Sequence, residues 1–560
     1  MMDELRALIE TERERFNVAG VGIAIVIDGE VALAEGFGVR DLQTQTPVDS
    51  QTMFPIASDT KAFAGAGLAA LAAEGKFDLD APIRTYIPWF EMYDPRATAE
   101  VSARDLLSHR TGLPRHDFVW YGELGWSNEE IVRKLRYLQP NKQLRQVWQY
   151  NNLCFTTAGY LTEVLSGQSW ADFITDRFFG PLGMKHSGFY KRSLGDGNFA
   201  TPYLSIDDER VKQTLPLRDD AAPSGGAVST AEDLAQWLLA RLGKDVSGTR
   251  VLSDTALTQL HTPAMLGAAG SGAFPERQSL GYGLGTQVEA YRGHRRIFHG
   301  GNLVGFSSDI SVIPGSNCGV AILTNQHGTA LRDALPLMIY DKILGLEPIA
   351  WGERFHEIQL ASESGANAAS AHKAASAGGR PHPRPVEAYA GTYTHPAYGE
   401  FNTLVKGAEL DVDFHELGDK VSLTHRDTDV WTLHLAEFPT MKFPVVFRSD
   451  SDGDIVELTV PLEGSVEPIV FIRRPGSAPD GLLDALVGAY EMGPQKLRVD
   501  LRGDDYFVAV AGLGAKLVSR GGTKFGIEGT PQVSLEVDYA DGVVSRVLVD
   551  PVGFFTPVVD

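Results

Sequence analysis

A serine and a lysine stand three residues apart in Ser58-Asp59-Thr60-Lys61, at the head of the run Ala62-Phe63-Ala64-Gly65-Ala66-Gly67-Leu68-Ala69-Ala70-Leu71-Ala72-Ala73. The run is small and apolar, which predicts a helix over Ala62–Glu74 with Ser58 as its N-cap. A helix apolar on every side is a buried one. Lys61 then falls in the first turn, where the helix dipole disfavours a cation. Burial disfavours its charge as well, and both effects lower the pKa of the amine. A neutral amine beside a serine hydroxyl can take the hydroxyl proton. Ser58 is therefore a candidate nucleophile and Lys61 its candidate base. The backbone N–H of Ser58, at the positive end of the helix, is a candidate oxyanion donor.

A Ser-x-x-Lys pair arises about once by chance in a chain of this length. A second one, Ser370-Ala371-His372-Lys373, does occur. It lies in an Ala/Ser-rich stretch without strand-to-helix context, so only the first is retained. Two further groups follow Ser58 in order, Tyr150-Asn151-Asn152 and His299-Gly300-Gly301. A tyrosine hydroxyl and an imidazole can each carry a proton, and an Asn amide both donates and accepts. Adjacent glycines in a strand let another backbone approach closely.

The three groups, in this order and spacing, resemble those of the penicillin-recognising serine hydrolases, in their class C β-lactamase and D-aminopeptidase branch. The resemblance runs from about residue 10 to 345. It is supported by Leu106-Leu107-Ser108-His109-Arg110-Thr111-Gly112-Leu113-Pro114, by Gly225-Gly226-Ala227-Val228-Ser229-Thr230 and by Gly281-Tyr282-Gly283-Leu284-Gly285. It implies catalytic roles for Ser58, Lys61, Tyr150 and His299. Tyr150 would face Ser58 and Lys61, and a neighbouring lysine cation would lower the pKa of its phenol for proton shuttling. Asn152, Gly300, Gly301 and Asn302 would bind substrate, with the Asn302 backbone N–H as second oxyanion donor. His299 would position substrate as a cation or donor, or carry a proton. His294, His327 and His109 are read as structural, the last within scaffold.

A histidine at the third group, where β-lactamases carry lysine, is closer to D-aminopeptidases and some esterases. The expected function is a serine peptidase or amidase working through an acyl-enzyme on short peptides, with D- or otherwise unusual residues. The alternatives are an esterase or weak β-lactam hydrolase, a penicillin-binding-like peptide cyclase or acyltransferase, and a non-catalytic binding protein. The intact set Ser58, Lys61, Tyr150, Asn152 and His299 argues against the last.

Such a site needs a scaffold, and the chain supplies one. Val21–Ile27 and Val31–Gly36 flank Asp28-Gly29, a hairpin signal, and Ile310–Ile313 and Gly319–Thr324 flank a Pro-Gly-Ser-Asn turn. Early strands, central helices and late strands predict one antiparallel sheet flanked by helices in an α/β, β-lactamase-like domain over residues 1–350. A linker is read over 351–385, Ala/Ser/Gly-rich from 361 and partly helical before Gly378. Beyond it the chain is all-β and repeats itself. Tyr389-Ala390-Gly391-Thr392-Tyr393 is echoed by Leu486-Val487-Gly488-Ala489-Tyr490, and Asp452-Gly453 by Asp541-Gly542. Two antiparallel β-barrel or lipocalin-like units are expected, at 386–475 and 481–560. Family members with this layout use a loop of an appended domain to restrict the cleft.

Composition sets the limits. Among 560 residues, 43% are hydrophobic and 22% charged, an ordinary soluble balance. The net charge of −22 argues against a nucleic-acid partner, which needs a basic face. No apolar run is long enough for a bilayer, so no membrane partner is expected. The charged N-terminus lacks a signal-peptide core, which points to the cytoplasm, or to the periplasm if a leader has been trimmed. The two cysteines, Cys154 and Cys318, read as packing residues. No cluster has metal-ligand spacing, so no metal or cofactor is expected. The expected partner is a small peptide or amide substrate, with a homo-oligomer open.

Overall fold

The computed structural model describes every residue except 121–124, 190–196, 207–208, 215–221, 268–273, 375–379, 408, 415–420, 437–440, 452, 476–478, 480, 504, 511–512 and 559–560. Two compact units emerge. The first comprises Met1–Ala377 with two short later segments, Pro396–Tyr398 and Pro461–Pro468, and the second comprises the rest.

The first unit is built on an antiparallel sheet. Its strands are β1 (Gly20–Ile27), β2 (Glu30–Asp41), β3 (Thr46–Pro47), β4 (Arg277–Tyr282), β5 (Gln287–Tyr291), β6 (His294–Leu303), β7 (Phe306–Ile313) and β8 (Cys318–Thr324). They lie in the order β3-β2-β1-β8-β7-β6-β5-β4, so the two ends of the segment meet at the β1–β8 pair, where Ile23 faces Ile322. Strand β1 is an unbroken apolar run because both of its faces are covered. On one face, Leu5 and Ile9 of α1 (Met2–Arg15) and Leu335 and Ile339 of α5 (Leu331–Ile343) pack on Ile23, Ile25 and Ile322. Between the first hairpin and β4 lie α2 (Thr60–Ala73), α3 (Asn152–Ser166) and α4 (Ala231–Arg241). Cys154 and Cys318 are both buried free thiols within this packing.

The Ala/Ser-rich stretch is helical as far as Ala374, and the following 375–379 lie outside the described residues. The second unit holds two eight-stranded antiparallel sheets. Strands from Gly391–His395 to Ile469–Arg473 form the first, which is nearly closed. Strands from Gly488–Met492 to Gly553–Pro557 form the second, a closed barrel sealed where Tyr490 pairs with Pro557. The sequence echo has a structural counterpart. In the opening strand of each sheet a buried tyrosine returns its hydroxyl to a carbonyl four residues earlier, Tyr393 to Tyr389 at 3.0 Å and Tyr490 to Leu486 at 2.9 Å. No helix among the described residues is long and apolar enough to cross a membrane.

Candidate active site

Ser58 does not cap a helix. A 3-10 turn, Ala57–Asp59, precedes α2, which starts at Thr60 and has no side-chain capping bond. The Ser58 hydroxyl is therefore not spent on the backbone and meets two other groups. Ala57 enters the turn with φ 45°, a left-handed conformation that costs a non-glycine residue about 1–3 kcal/mol. Surrounding contacts hold the turn in place. Asp59 is fully buried, and burial holds its carboxyl well above the ordinary value. Its Oδ2 is 2.6 Å from the Ser308 hydroxyl, which is 2.9 Å from the Ile56 carbonyl. Ser308 has one proton to give. Its hydroxyl donates toward the Asp59 carboxyl and has the Ile56 carbonyl as its other acceptor within reach, which ties both ends of the turn to β7.

Lys61 is completely buried in the first turn of α2. Its Nζ donates to Asn152 Oδ1 at 2.8 Å and to the Ser224 carbonyl at 2.5 Å, and lies 3.1 Å from Ser58 Oγ. Burial, then the nearby Arg115 cation, pull its pKa well below the ordinary lysine value, as the sequence led us to expect. Close packing encloses it: a Cβ on Gly285 would stand 2.3 Å from the Lys61 carbonyl, and one on Gly65 would stand 2.0 Å from the Leu284 carbonyl. This packing explains the glycine at 285.

Tyr150 and Asn152 arrive on the lead into α3, which Asn151 caps by accepting the Cys154 N–H at 2.8 Å. The Tyr150 hydroxyl donates to Ser58 Oγ at 2.8 Å. Desolvation raises its pKa above the ordinary phenol value and outweighs the hydrogen bond with Ser58 and the Arg115 cation. The expected lowering is thus reversed, because loss of water costs a phenolate more than Arg115 returns and Lys61 is itself short of charge. Asn152 turns its Nδ2 to Asp117 Oδ1, 2.9 Å away, which aims its Oδ1 at Lys61. Asp117 also binds Arg115 Nε at 2.6 Å. Between them His116 is pinned inside the same unit, Nδ1 to the Tyr398 hydroxyl at 2.7 Å and its backbone N–H to Glu463 at 3.1 Å.

His299 lies beside this set on β6, its ring 6.4 Å from that of Tyr150. Its Nδ1 is 2.8 Å from the Gly300 carbonyl and must donate there, so its Nε2 accepts from the Tyr282 hydroxyl at 2.9 Å. Burial pulls its pKa down to about 3. Both ring nitrogens are engaged, and burial disfavours the cationic form of the ring. The glycines after it differ from each other. A Cβ on Gly301 would meet the Ile56 carbonyl at 2.2 Å and Ser308 Oγ at 2.3 Å, whereas one on Gly300 would find Arg332 no closer than 3.4 Å. Gly301 therefore admits the Ser58 turn itself, where the sequence suggested room for a substrate backbone. Asn302 follows on the same strand, exposed, paired with Ser307 of β7.

The sequence did not bring Ser224, Arg115, Asp117 or Tyr282 to this place. Arg115 and Asp117 directly follow Gly112-Leu113-Pro114, so the signal for them was position after a motif. Ser224 contributes its carbonyl, which no side-chain pattern reveals. Among the described residues no cluster of three or more His, Cys, Asp or Glu could hold a metal ion.

Residues 5–339 match the Beta-lactamase family, and the chain belongs to that family of serine hydrolases. Residues 375–471 match a domain of unknown function, DUF3471. The chain is 28% identical over 427 residues to Unguisins hydrolase ungD' of Aspergillus campestris, spanning 71% of this chain and 76% of that protein. Protein flp of Staphylococcus aureus is 24% identical over 58% of this chain and 63% of its own length. Among solved structures, the octameric penicillin-binding protein homologue from Pyrococcus abyssi superposes with a TM-score of 0.57 at 20% identity, covering 84% of this chain and 99% of that one. D-amino acid amidase from Ochrobactrum anthropi gives 0.50 at 24% identity, over 61% and 98%. These two likenesses are likenesses of fold.

Proposed function

We propose that the protein is a serine peptidase or amidase that cleaves short peptides, with D- or otherwise unusual residues, through an acyl-enzyme on Ser58. The observation that carries this reading is the placement of Ser58 Oγ between Lys61 Nζ at 3.1 Å and the Tyr150 hydroxyl at 2.8 Å. A neutral Lys61 has two N–H donors and one lone pair. The donors are taken by Asn152 and Ser224, so the lone pair is left for Ser58. Ser58 then accepts from Tyr150 and donates to Lys61.

In the reaction, Ser58 Oγ attacks the amide carbon as its proton passes to Lys61. The backbone N–H groups of Ser58 and Asn302 hold the oxyanion. The intermediate collapses with loss of the amine, which takes the Tyr150 proton, and Tyr150 is reprotonated from Lys61. A raised phenol pKa suits this role, since Tyr150 rests as a proton donor. Water then attacks the acyl-Ser58 ester by the reverse route. Asn152 orients Lys61, and His299 holds the Tyr282 hydroxyl beside the site. The choice of peptides is supported by similarity to a hydrolase named for unguisins and by the His299-Gly300-Gly301 group.

A small library of D- and L-residue peptides, with p-nitrophenyl butyrate and nitrocefin alongside, tests the reading. Peptide cleavage by the wild type and none by Ser58→Ala is expected. Turnover of the ester or the lactam with every peptide left intact overturns the substrate assignment, and peptide cleavage by Ser58→Ala overturns the mechanism.

A further inference from the structure

We infer that His109 is a positioning residue for this site, acting through Tyr150; the inference rests on the function proposed above. His109 grips the chain on both sides of that tyrosine. Its carbonyl accepts the Gln149 N–H at 2.7 Å, and its Nδ1 accepts the Asn151 N–H at 3.1 Å. Its ring lies on the ring between them, centroids 4.4 Å apart and planes 34° from parallel. The grip needs an unusual backbone, φ 56°, which turns the carbonyl and the side chain toward the same segment.

The imidazole is held from every side. Tyr282, Phe155 and Trp148 surround it at centroid distances of 4.8, 5.0 and 5.8 Å. An acceptor Nδ1 places the proton of the neutral ring on Nε2. That buried Nε2 has no hydrogen-bond partner among the described residues. A phenylalanine would fill the same space without burying an unpaired N–H. What an apolar ring cannot do is accept the Asn151 N–H. That peptide joins the two residues with opposite tasks: Tyr150 reaches Ser58, and Asn152 reaches Lys61. Burial keeps the imidazole pKa well below the ordinary value, so the grip adds no positive charge beside Lys61. Misplacing a proton-carrying group by a fraction of an ångström is costly to catalysis, and His109 removes the freedom for it.

The test is a double-mutant cycle read by the rate of Ser58 labelling with a fluorophosphonate, which needs no knowledge of the peptide substrate. His109→Phe should lower the maximal labelling rate about tenfold and leave the probe's half-saturating concentration within about twofold. His109→Gln, whose Oε1 can accept the Asn151 N–H, should recover about half of that loss on a logarithmic scale. In a Tyr150→Phe background the same His109→Phe change should cost less than about twofold. Equal losses in both backgrounds, or a His109→Phe variant as fast as the wild type, overturns the inference. If circular dichroism shows His109→Phe unfolded, the cycle is run with His109→Gln under the same criteria. A wild type that is not labelled at Ser58 refutes the proposed function instead, so the two failures are distinguishable.

Discussion

The Lys61 amine stands 4.8 Å from the centroid of the Tyr150 ring. The Arg115 guanidinium stands 4.9 Å from the same centroid. Arginine keeps its charge at any working pH, so of the two basic groups at this ring only Lys61 can serve as the base proposed above. Arg115 lowers the pKa of both Lys61 and Tyr150. Replacing it with alanine removes a positive charge and lets the Lys61 pKa rise. The base is then protonated up to a higher pH. The acid limb of the kcat/KM profile should move to higher pH in Arg115→Ala and stay in place in Arg115→Lys. An acid limb unmoved in Arg115→Ala would show that the guanidinium does not set the protonation state of the base.

Lys61 also ties stability to pH. Its folded pKa lies below the unfolded value of about 10.4. Below that unfolded value the unfolded chain holds a proton that the folded chain resists. Unfolding is thus favoured at low pH, and stability rises as pH climbs toward about 10. Lys61→Met fills the same buried space without a titrating group. The difference in melting temperature, variant minus wild type, should shrink as pH rises toward about 10. Turnover by this variant should fall by about 100-fold or more at every pH. A temperature difference that is flat with pH would mean that Lys61 is charged in the folded protein.

Asn152 can orient Lys61 only if its amide is the right way round. Asp117 sets that choice by accepting from Nδ2. Asp117→Ala removes the acceptor and lets the amide turn its NH2 toward the lysine, where two donors would face each other. A loss in kcat of about tenfold with little change in KM is expected, and Asp117→Asn, which keeps a carbonyl oxygen, should lose less. Equal losses for the two variants would indicate that the charge of Asp117, paired with Arg115, matters more than its acceptor.

The parts of this site that were legible in the sequence are those whose chemistry resides in a side chain. Ser58, Lys61, Tyr150 and Asn152 have distinctive types in a distinctive order, and the fold brings all four into one hydrogen-bonded set. That early and late strands share one sheet was legible for a similar reason, since apolar runs far apart each flank a turn; which strands pair came only with the fold. What escaped depended on three-dimensional context. Ser58 looked like a cap because caps are usually serines, yet a 3-10 turn takes the helix start past it. Read from its neighbours alone, the Tyr150 phenol is expected to have a lowered pKa, while its desolvation becomes visible only once Trp148, His109 and His299 close around it. His109 passed for scaffold because its partners, Gln149 and Asn151, offer only backbone groups.

Gly301 and Gly300 separate two meanings of a glycine pair. At Gly301 an added methyl would overlap the Ile56 carbonyl and Ser308 Oγ, both tied to the Ser58 turn. Neither can retreat, because Ser308 sits within β7 and Ile56 is bonded to Ala227. Gly301→Ala should therefore push the turn out of line, cost about 1–3 kcal/mol, and abolish labelling of Ser58. At Gly300 the nearest atom is the end of the flexible Arg332 side chain. Gly300→Ala should change stability by less than about 0.5 kcal/mol and leave Ser58 labelled. Denaturant unfolding and probe labelling of the two variants, side by side, check this. If the second glycine serves the nucleophile's own turn, Gly301→Ala disables the enzyme toward every substrate; if it serves substrate entry, small probes will still react while peptides do not.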